Sequence, residues 1–232
     1  MSMLVRAALF AMFAFVTLGT AAGACVDNVV LVHGNSGSPD DFDNTYVELR
    51  ARGYTDAQIW RPSWGSKTCP ACNDHSGSEE TPVANALNAA IAASCTGKID
   101  VIGHSMGVTL LAREITKLNL ANKVDAFVGI AGAYRGLLSC GVYPFNVAST
   151  TCGSQGLSVG SPLLNGIYGK PLAARTYSVK SWIDEIVCSM GSCLVYGVHS
   201  SSIAGETASY TYAYYHYQQL WFTPVLQADL IQ

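Results

Sequence analysis

Gly103-His104-Ser105-Met106-Gly107 reads G-x-S-x-G, and its flanks constrain the fold more than the pentapeptide itself. An apolar run over residues 99–102 enters it, and a helix-forming run over residues 108–118 leaves it. A buried strand that turns sharply into a helix around a serine is a nucleophile elbow, which lifts the hydroxyl above the carboxyl edge of a sheet. The turn is so tight that the positions flanking the serine must be small, which Gly103 and Gly107 satisfy. The chain carries its own control. Gly156-Leu157-Ser158-Val159-Gly160 has the same spelling, but polar residues precede it and Ser161-Pro162 comes directly after. No buried strand enters there, and residues 163–169 are too short and glycine-rich for the long helix required. Ser105 is therefore the expected nucleophile, and Ser158 is expected to be a loop serine.

The remaining periodicity places strands at residues 29–33, 57–62, 125–130 and 175–182 beside the elbow strand. Helices are predicted at 42–52, 81–95 and 108–119, with a closing helix at 218–230 after a Tyr-rich extended stretch at 210–217. Residues 132–171 read as a loop-rich insertion. Strands alternating with helices predict an α/β fold: a mostly parallel sheet with helices on both faces. Chemistry in such sheets gathers beyond the carboxyl ends of the strands. His33, Ser105 and Asp184 all fall at such ends.

With 232 residues, the chain can build one domain with a sizeable core. Only 12% of residues are charged, against about 25% in an average domain. The net charge is −3 and the Lys and Arg residues are scattered. Such a surface excludes a nucleic-acid partner and suits a neutral or apolar substrate. Residues 1–24 stand apart. Arg6, an apolar run over residues 7–18 and Ala22-Gly23-Ala24 together read as a secretory signal peptide with its cleavage site. The run is too short for a membrane span. A single secreted domain, extracellular or periplasmic, is expected over residues 25–232. Cys25 directly after the site raises a lipoprotein alternative, against which Ala22 stands in place of a leucine-like residue.

All eight cysteines lie beyond the cleavage site, and an even count in an exported chain predicts disulfides. The pairing by proximity is Cys69–Cys72, Cys140–Cys152 and Cys188–Cys193, which leaves Cys25 with Cys95. Those last two precede the strands at 29–33 and 99–103. If these strands are parallel neighbours, their starting ends adjoin and a bridge is possible. Cys69-Pro70-Ala71-Cys72 has no second C-x-x-C, which argues against a zinc or redox site. No metal or cofactor is expected.

A serine hydroxyl needs an imidazole to take its proton and a carboxylate to orient that imidazole. On an elbow fold these come in the order Ser, Asp or Glu, His. Asp184 lies two residues beyond the last strong strand and is the expected acid, with Glu185 as the neighbour that could replace it. Two histidines lie further on: His199 and His216. The base should leave a short loop after the last strand and precede the closing helix, which favours His216. His104 is expected to be a packing residue, and His75 a loop residue. The oxyanion of the tetrahedral intermediate needs two donors. The backbone N–H of Met106 is one, and that of Asn35, in the polar turn after the first strand, is the other. Leu137, Leu138, Val142, Tyr143 and Phe145, with Trp60 and Trp64 opposite, are expected to wall the acyl site.

With these residues placed, the chain resembles the α/β-hydrolase lipases, most nearly the class 2 lipases and the minimal secreted bacterial lipases. The likeness lies in Val30-Leu31-Val32-His33-Gly34, in Ile102-Gly103-His104-Ser105-Met106-Gly107, in residues 122–132, in residues 181–187 and in His216 with its closing helix. The resemblance implies a minimal α/β-hydrolase fold and hydrolysis of carboxylic esters, often acylglycerols, without a cofactor. It implies a Ser105, Asp184 and His216 triad, with Asn35 and Met106 as the oxyanion hole. A lipid or polymer interface is the transient partner it suggests. Eight cysteines and a longer insertion set this chain apart from the minimal lipases, and the insertion could act as a partial lid. Extracellular polyester depolymerases share the scaffold and form an alternative reading, as does a non-catalytic hydrolase-fold binding protein.

Overall fold

Apolar residues alternate along the strands so that each face of one sheet receives its own core. The computed structural model describes residues 25–145 and 149–232, so the expected signal peptide at 1–24 lies outside the described residues. The first half runs β1 (Asn28–Val32), α1 (Asp43–Ala51), β2 (Ile59–Trp60), α2 (Glu80–Ala93), β3 (Ile99–His104), α3 (Met106–Lys117) and β4 (Val124–Ile130). The insertion contributes β5 (Leu137–Val142), β6 (Ser158–Val159) and α4 (Pro162–Ile167). Then come β7 (Arg175–Ser181), β8 (Leu194–Val195), β9 (Val198–His199), β10 (Ala208–Tyr212), α5 (His216–Trp221) and α6 (Pro224–Leu230). Six strands form the main sheet in the order β10-β7-β4-β3-β1-β2, and every pairing is parallel.

Val30 and Val32 of β1 point to one face, where α2, α3 and α4 pack through Leu87, Leu111 and Leu164. Val29 and Leu31 point to the other, against Phe42, Leu49, Leu220 and Ala228 from the α1, α5 and α6 layer. The sheet is thus covered on both sides, as a parallel sheet must be. All eight cysteines are paired, in the four pairs expected from the sequence. Cys25 reaches Cys95 because Asn28 of β1 lies level with Ile99 of β3, so the two strands start side by side.

Several local readings are corrected. The strand expected at 57–62 shrinks to two residues, Ile59–Trp60, at the sheet's edge. The closing helix is broken in two, because Pro224 has no N–H to continue a helix and instead opens a new one. The insertion is structured rather than loop-like. Its strands β5 and β6 pair with each other, and Cys140–Cys152 staples it. Ser158 is not a loop serine: it is buried in β6, and its hydroxyl donates to the carbonyls of Cys140 and Cys152. His75 is a loop residue as expected, but a buried one. It is buried between the insertion and α3, with one ring nitrogen 2.9 Å from the Gln155 carbonyl and the other 2.7 Å from the Thr109 hydroxyl.

One buried carboxyl sits at the opposite edge of the sheet from Ser105. Asp100 of β3 accepts the Ala126 N–H at 2.9 Å and is almost fully buried. Burial pushes its carboxyl up to about 8; the nearby Asp27 and Asp125 add to the rise, and the Ala126 N–H and Arg175 act against it. In the unfolded chain the group titrates near 3.8. A folded value above the unfolded one means that stability is whole below about pH 4 and is lost as pH climbs through about 8. Asp100→Asn keeps an acceptor for Ala126 and cannot ionise. Thermal melts should show it stabilising the protein by a few kcal/mol more at about pH 8 than at about pH 5.

Candidate active site

The local sequence dictates an unusual backbone at residue 105. Ser105 adopts φ +54° and ψ −127°, a strained conformation for a residue with a Cβ. It is held by a 2.8 Å bond from its N–H to the Ile130 carbonyl at the end of β4. Helix α3 then starts at once and crosses close to β1. A Cβ on Gly107 would lie 2.3 Å from the Val32 carbonyl oxygen, so no larger residue fits there. Ser105 itself remains partly open to solvent.

Three side chains from separate elements meet at this edge. The Ser105 hydroxyl lies 2.9 Å from His216 Nε2. His216 Nδ1 lies 2.9 Å from both carboxylate oxygens of Asp184. Asp184 lies just beyond β7, and His216 opens α5 rather than preceding the helix. Burial would raise the Asp184 carboxyl. The His216 imidazole and the N–H groups of Val187 and Ile186 outweigh it and hold the group below its ordinary range. Those N–H bonds, at 2.8 and 2.9 Å, come from the turn that Asp184 begins. The acid is therefore an anion aimed at the imidazole.

The other four histidines are occupied elsewhere. His199 lies 3.0 Å from the Ser181 carbonyl through Nε2 and accepts the Ser201 N–H through Nδ1, so neither nitrogen faces Ser105. His33 is stacked on Trp64, with ring centroids 5.4 Å apart. Burial pushes it down to about 4, the Gly34 carbonyl opposing and Lys67 adding to the fall, so it stays neutral. His75 is tied into the insertion as described. His104 is buried as expected for a packing residue, but it packs on the site itself. Its ring lies 4.8 Å from the His216 ring, and its Nε2 lies 3.3 Å from the His216 carbonyl.

Asn35 and Met106, the expected oxyanion donors, sit on the two chain segments nearest the serine. A Cβ on Gly34 would stand 2.9 Å from Ser105 Cβ, so this loop runs against Ser105. The N–H groups of Asn35 and Met106 have no acceptor among the described residues, which leaves both available to a ligand oxygen. The Asn35 side chain is used for anchorage. It donates to the Pro70 carbonyl and accepts from Asn73 at 2.6 Å. Trp64 lies buried under the same loop, its indole N–H on the His33 carbonyl, rather than serving as an open wall. Phe145, another expected wall residue, is exposed.

Two supporting residues, Gln219 and Asn73, escape the sequence reading, and a third, Glu185, has another role than the one weighed for it. Gln219 donates to Asp184 at 2.7 Å. It stands three residues after His216, on the same face of α5, and that spacing is the available signal. Glu185 does not replace Asp184; its carboxylate accepts the His216 backbone N–H at 2.8 Å. Asn73, distant in sequence, gives no signal at all. Among the described residues the side chains that could gather a metal are Asp27, Asp100 and Asp125, and Cys188, Cys193 and His199. The two cysteines of the second group are spent in a disulfide.

A family model for lipase (class 2) matches residues 27–228. No curated protein sequence matches the chain. Among solved structures, a Bacillus licheniformis lipase in its mature form superposes with a TM-score of 0.61 at 14% identity, over 90% of this chain and 94% of that one. Aspergillus fumigatus lipase B gives a TM-score of 0.58 at 18% identity, over 84% of this chain and 49% of that one, so this chain spans about half the fungal protein's length. An extracellular α/β-hydrolase from a Paenibacillus species gives 0.54 at 16% identity, over 88% of this chain and 97% of that one. At such identities the likeness is one of fold, the α/β-hydrolase fold with its parallel sheet.

Gly34→Ala tests the packing of the loop against the serine. The added methyl has to displace either Ser105 or the loop that carries Asn35. Labelling of Ser105 by a fluorophosphonate should slow about a hundredfold. Circular dichroism should be unchanged.

Proposed function

The chain belongs to the class 2 lipases, a family of carboxylic ester hydrolases, and on that basis we propose how it works. It is an exported enzyme that cleaves neutral carboxylic esters, acylglycerols or other short-to-medium acyl esters, through an acyl-enzyme. The observation that carries this reading is the pair of 2.9 Å contacts linking Ser105, His216 and Asp184. Ser105 Oγ attacks the ester carbonyl carbon while His216 Nε2 takes its proton. Asp184, held as an anion, stabilises the imidazolium that forms. The Asn35 and Met106 N–H groups hold the oxyanion. His216 returns the proton to the leaving alkoxide, and Ser105 keeps the acyl group. A water then attacks the acyl carbon and gives its proton to His216; the bond to Ser105 Oγ breaks, His216 returns that proton to Oγ, and the acid departs. No cofactor enters these steps.

Export is supported by residues 1–24 and by four disulfides, which persist in oxidising compartments. Residues 25–232, beyond the cleavage site, then form one catalytic domain. A neutral substrate is supported by the sparse surface charge.

Ser105→Ala should lower p-nitrophenyl butyrate hydrolysis by about 10⁴-fold or more with the fold intact. Full retention of activity would remove the assignment. The pH–rate profile should fall on its acid side, because a protonated imidazole cannot accept the serine proton. Asp184 titrates below its ordinary range, so it stays charged through mild acid and does not set that limb. A profile flat into acid would count against His216 as the base.

A further inference from the structure

We propose that a cavity apart from the catalytic residues binds an amphipathic monocarboxylate, with Arg135 holding the carboxylate and an apolar wall holding a short-to-medium chain. The acid released in the reaction above belongs to that class, and in this respect the proposal rests on the ester-hydrolase reading. The cavity, of about 350 Å³, opens between the start of the insertion, α4 and the β8–β9 hairpin. Sites for small molecules span roughly 300–1,000 Å³, so its size suits a short chain. Leu164 and Val195 give it a buried wall, and Tyr168, Tyr196 and Val198 an exposed one. None of Ser105, Asp184, His216, Asn35 and Met106 lines it.

Charge and geometry select the occupant. Among the residues lining the cavity, Arg135 alone is charged. It enters none of the ion pairs found among the described residues. Its Nε donates to the Ser202 carbonyl at 3.0 Å and its Nη1 to the Tyr168 hydroxyl at 3.3 Å. Nη2 has no acceptor among the described residues. An open guanidinium edge beside an apolar wall matches a carboxylate with an alkyl tail. The site is also built before anything enters. The Tyr134 hydroxyl bonds the Ile167 carbonyl at 2.7 Å and ties α4 to the chain beyond β4. β8 pairs with β9, and Cys188–Cys193 closes the loop before them. Little ordering entropy is then lost on binding. Tyr196 supplies an independent observation. It turns the hairpin at φ +50°, followed by Gly197 at φ +79°, where Asn is favoured and a bulky side chain is strained. The residue is 84% exposed and still lines the cavity. Strain of this kind collects at ligand sites, and an alkyl chain lying in the cavity would cover that ring.

The test is isothermal titration of octanoate into the full chain, well below the concentration at which octanoate forms micelles. Octanoate should saturate a single site, and octanamide, of the same shape without the charge, should bind about tenfold more weakly. Arg135→Gln should weaken octanoate binding about tenfold or more. Arg50→Gln on α1, which removes a charge elsewhere, should not. Because Arg135 also holds Ser202 and Tyr168, a second arm uses Tyr196→Asn. Asn-Gly suits this turn, so the melting temperature should hold or rise while octanoate binds about fivefold more weakly. That variant should keep wild-type kcat/KM on p-nitrophenyl butyrate. Labelling Ser105 with a fluorophosphonate should leave octanoate binding unchanged. Equal affinity for octanamide would overturn the proposal, as would unchanged binding by either variant. So would binding that labelling abolishes, which would put octanoate at the catalytic edge, or uptake that never saturates. A chain that binds octanoate through Arg135 yet hydrolyses no ester would instead defeat the hydrolase reading and leave the site standing.

Discussion

Helix α3 can leave the tight turn at Ser105 only because its first turn lies against the end of β1. Gly107 is the contact: with a Cβ, it would meet the Val32 and His33 carbonyl oxygens at 2.3 and 2.5 Å. That approach forces the chain to reverse within one residue, and the reversal falls on Ser105 at φ +54°. The strain is offset by neighbours that over-determine the position, chiefly the Ser105 N–H bond to Ile130. It also leaves the Met106 N–H at a helix start, where no carbonyl lies a turn behind it to accept. A packing constraint between a helix and a strand thus produces both an exposed hydroxyl and a free donor beside it.

Two buried aspartates show how the same fold treats a carboxylate according to its surroundings. Asp184 is buried, but its oxygens receive two backbone N–H groups, the His216 imidazole and the Gln219 amide. Its charge is favoured and it titrates low. Asp100 is as deeply buried, with one N–H and two acidic neighbours, and titrates high. Position in the sheet separates them. Asp184 lies where a loop can turn its amides inward, and Asp100 lies within a strand whose amides belong mostly to the ladder.

The architecture is legible in the residues because periodicity and turn chemistry agree. The parallel sheet, the elbow, the order of Ser105, Asp184 and His216, and even the Cys25–Cys95 link can be read from where apolar runs stop and which residues come next. Features that depend on a partner far along the chain escape such a reading. His75 looks like a loop residue because its neighbours are Asp74, Ser76 and Gly77; its burial comes from the insertion and Thr109. His104 reads as a packing residue, yet nothing local says that it packs on His216. Ser158 sits among polar residues and still enters a two-residue strand, because β5 offers it a partner. The break at Pro224, by contrast, is visible in the sequence.

The insertion has one further bearing on the catalytic edge. Its Thr151 hydroxyl reaches the Pro70 carbonyl, at 2.7 Å, and the Asn73 carbonyl. Pro70 and Asn73 are the two residues that grip the Asn35 side chain. A segment that looks like a decorative excursion from the sheet is therefore a remote brace for the loop beside Ser105, passed hand to hand through a second stapled loop. Anyone grafting this scaffold, or pruning it towards a smaller hydrolase, would have to move the excursion and the Cys69–Cys72 turn together or rebuild that brace from scratch.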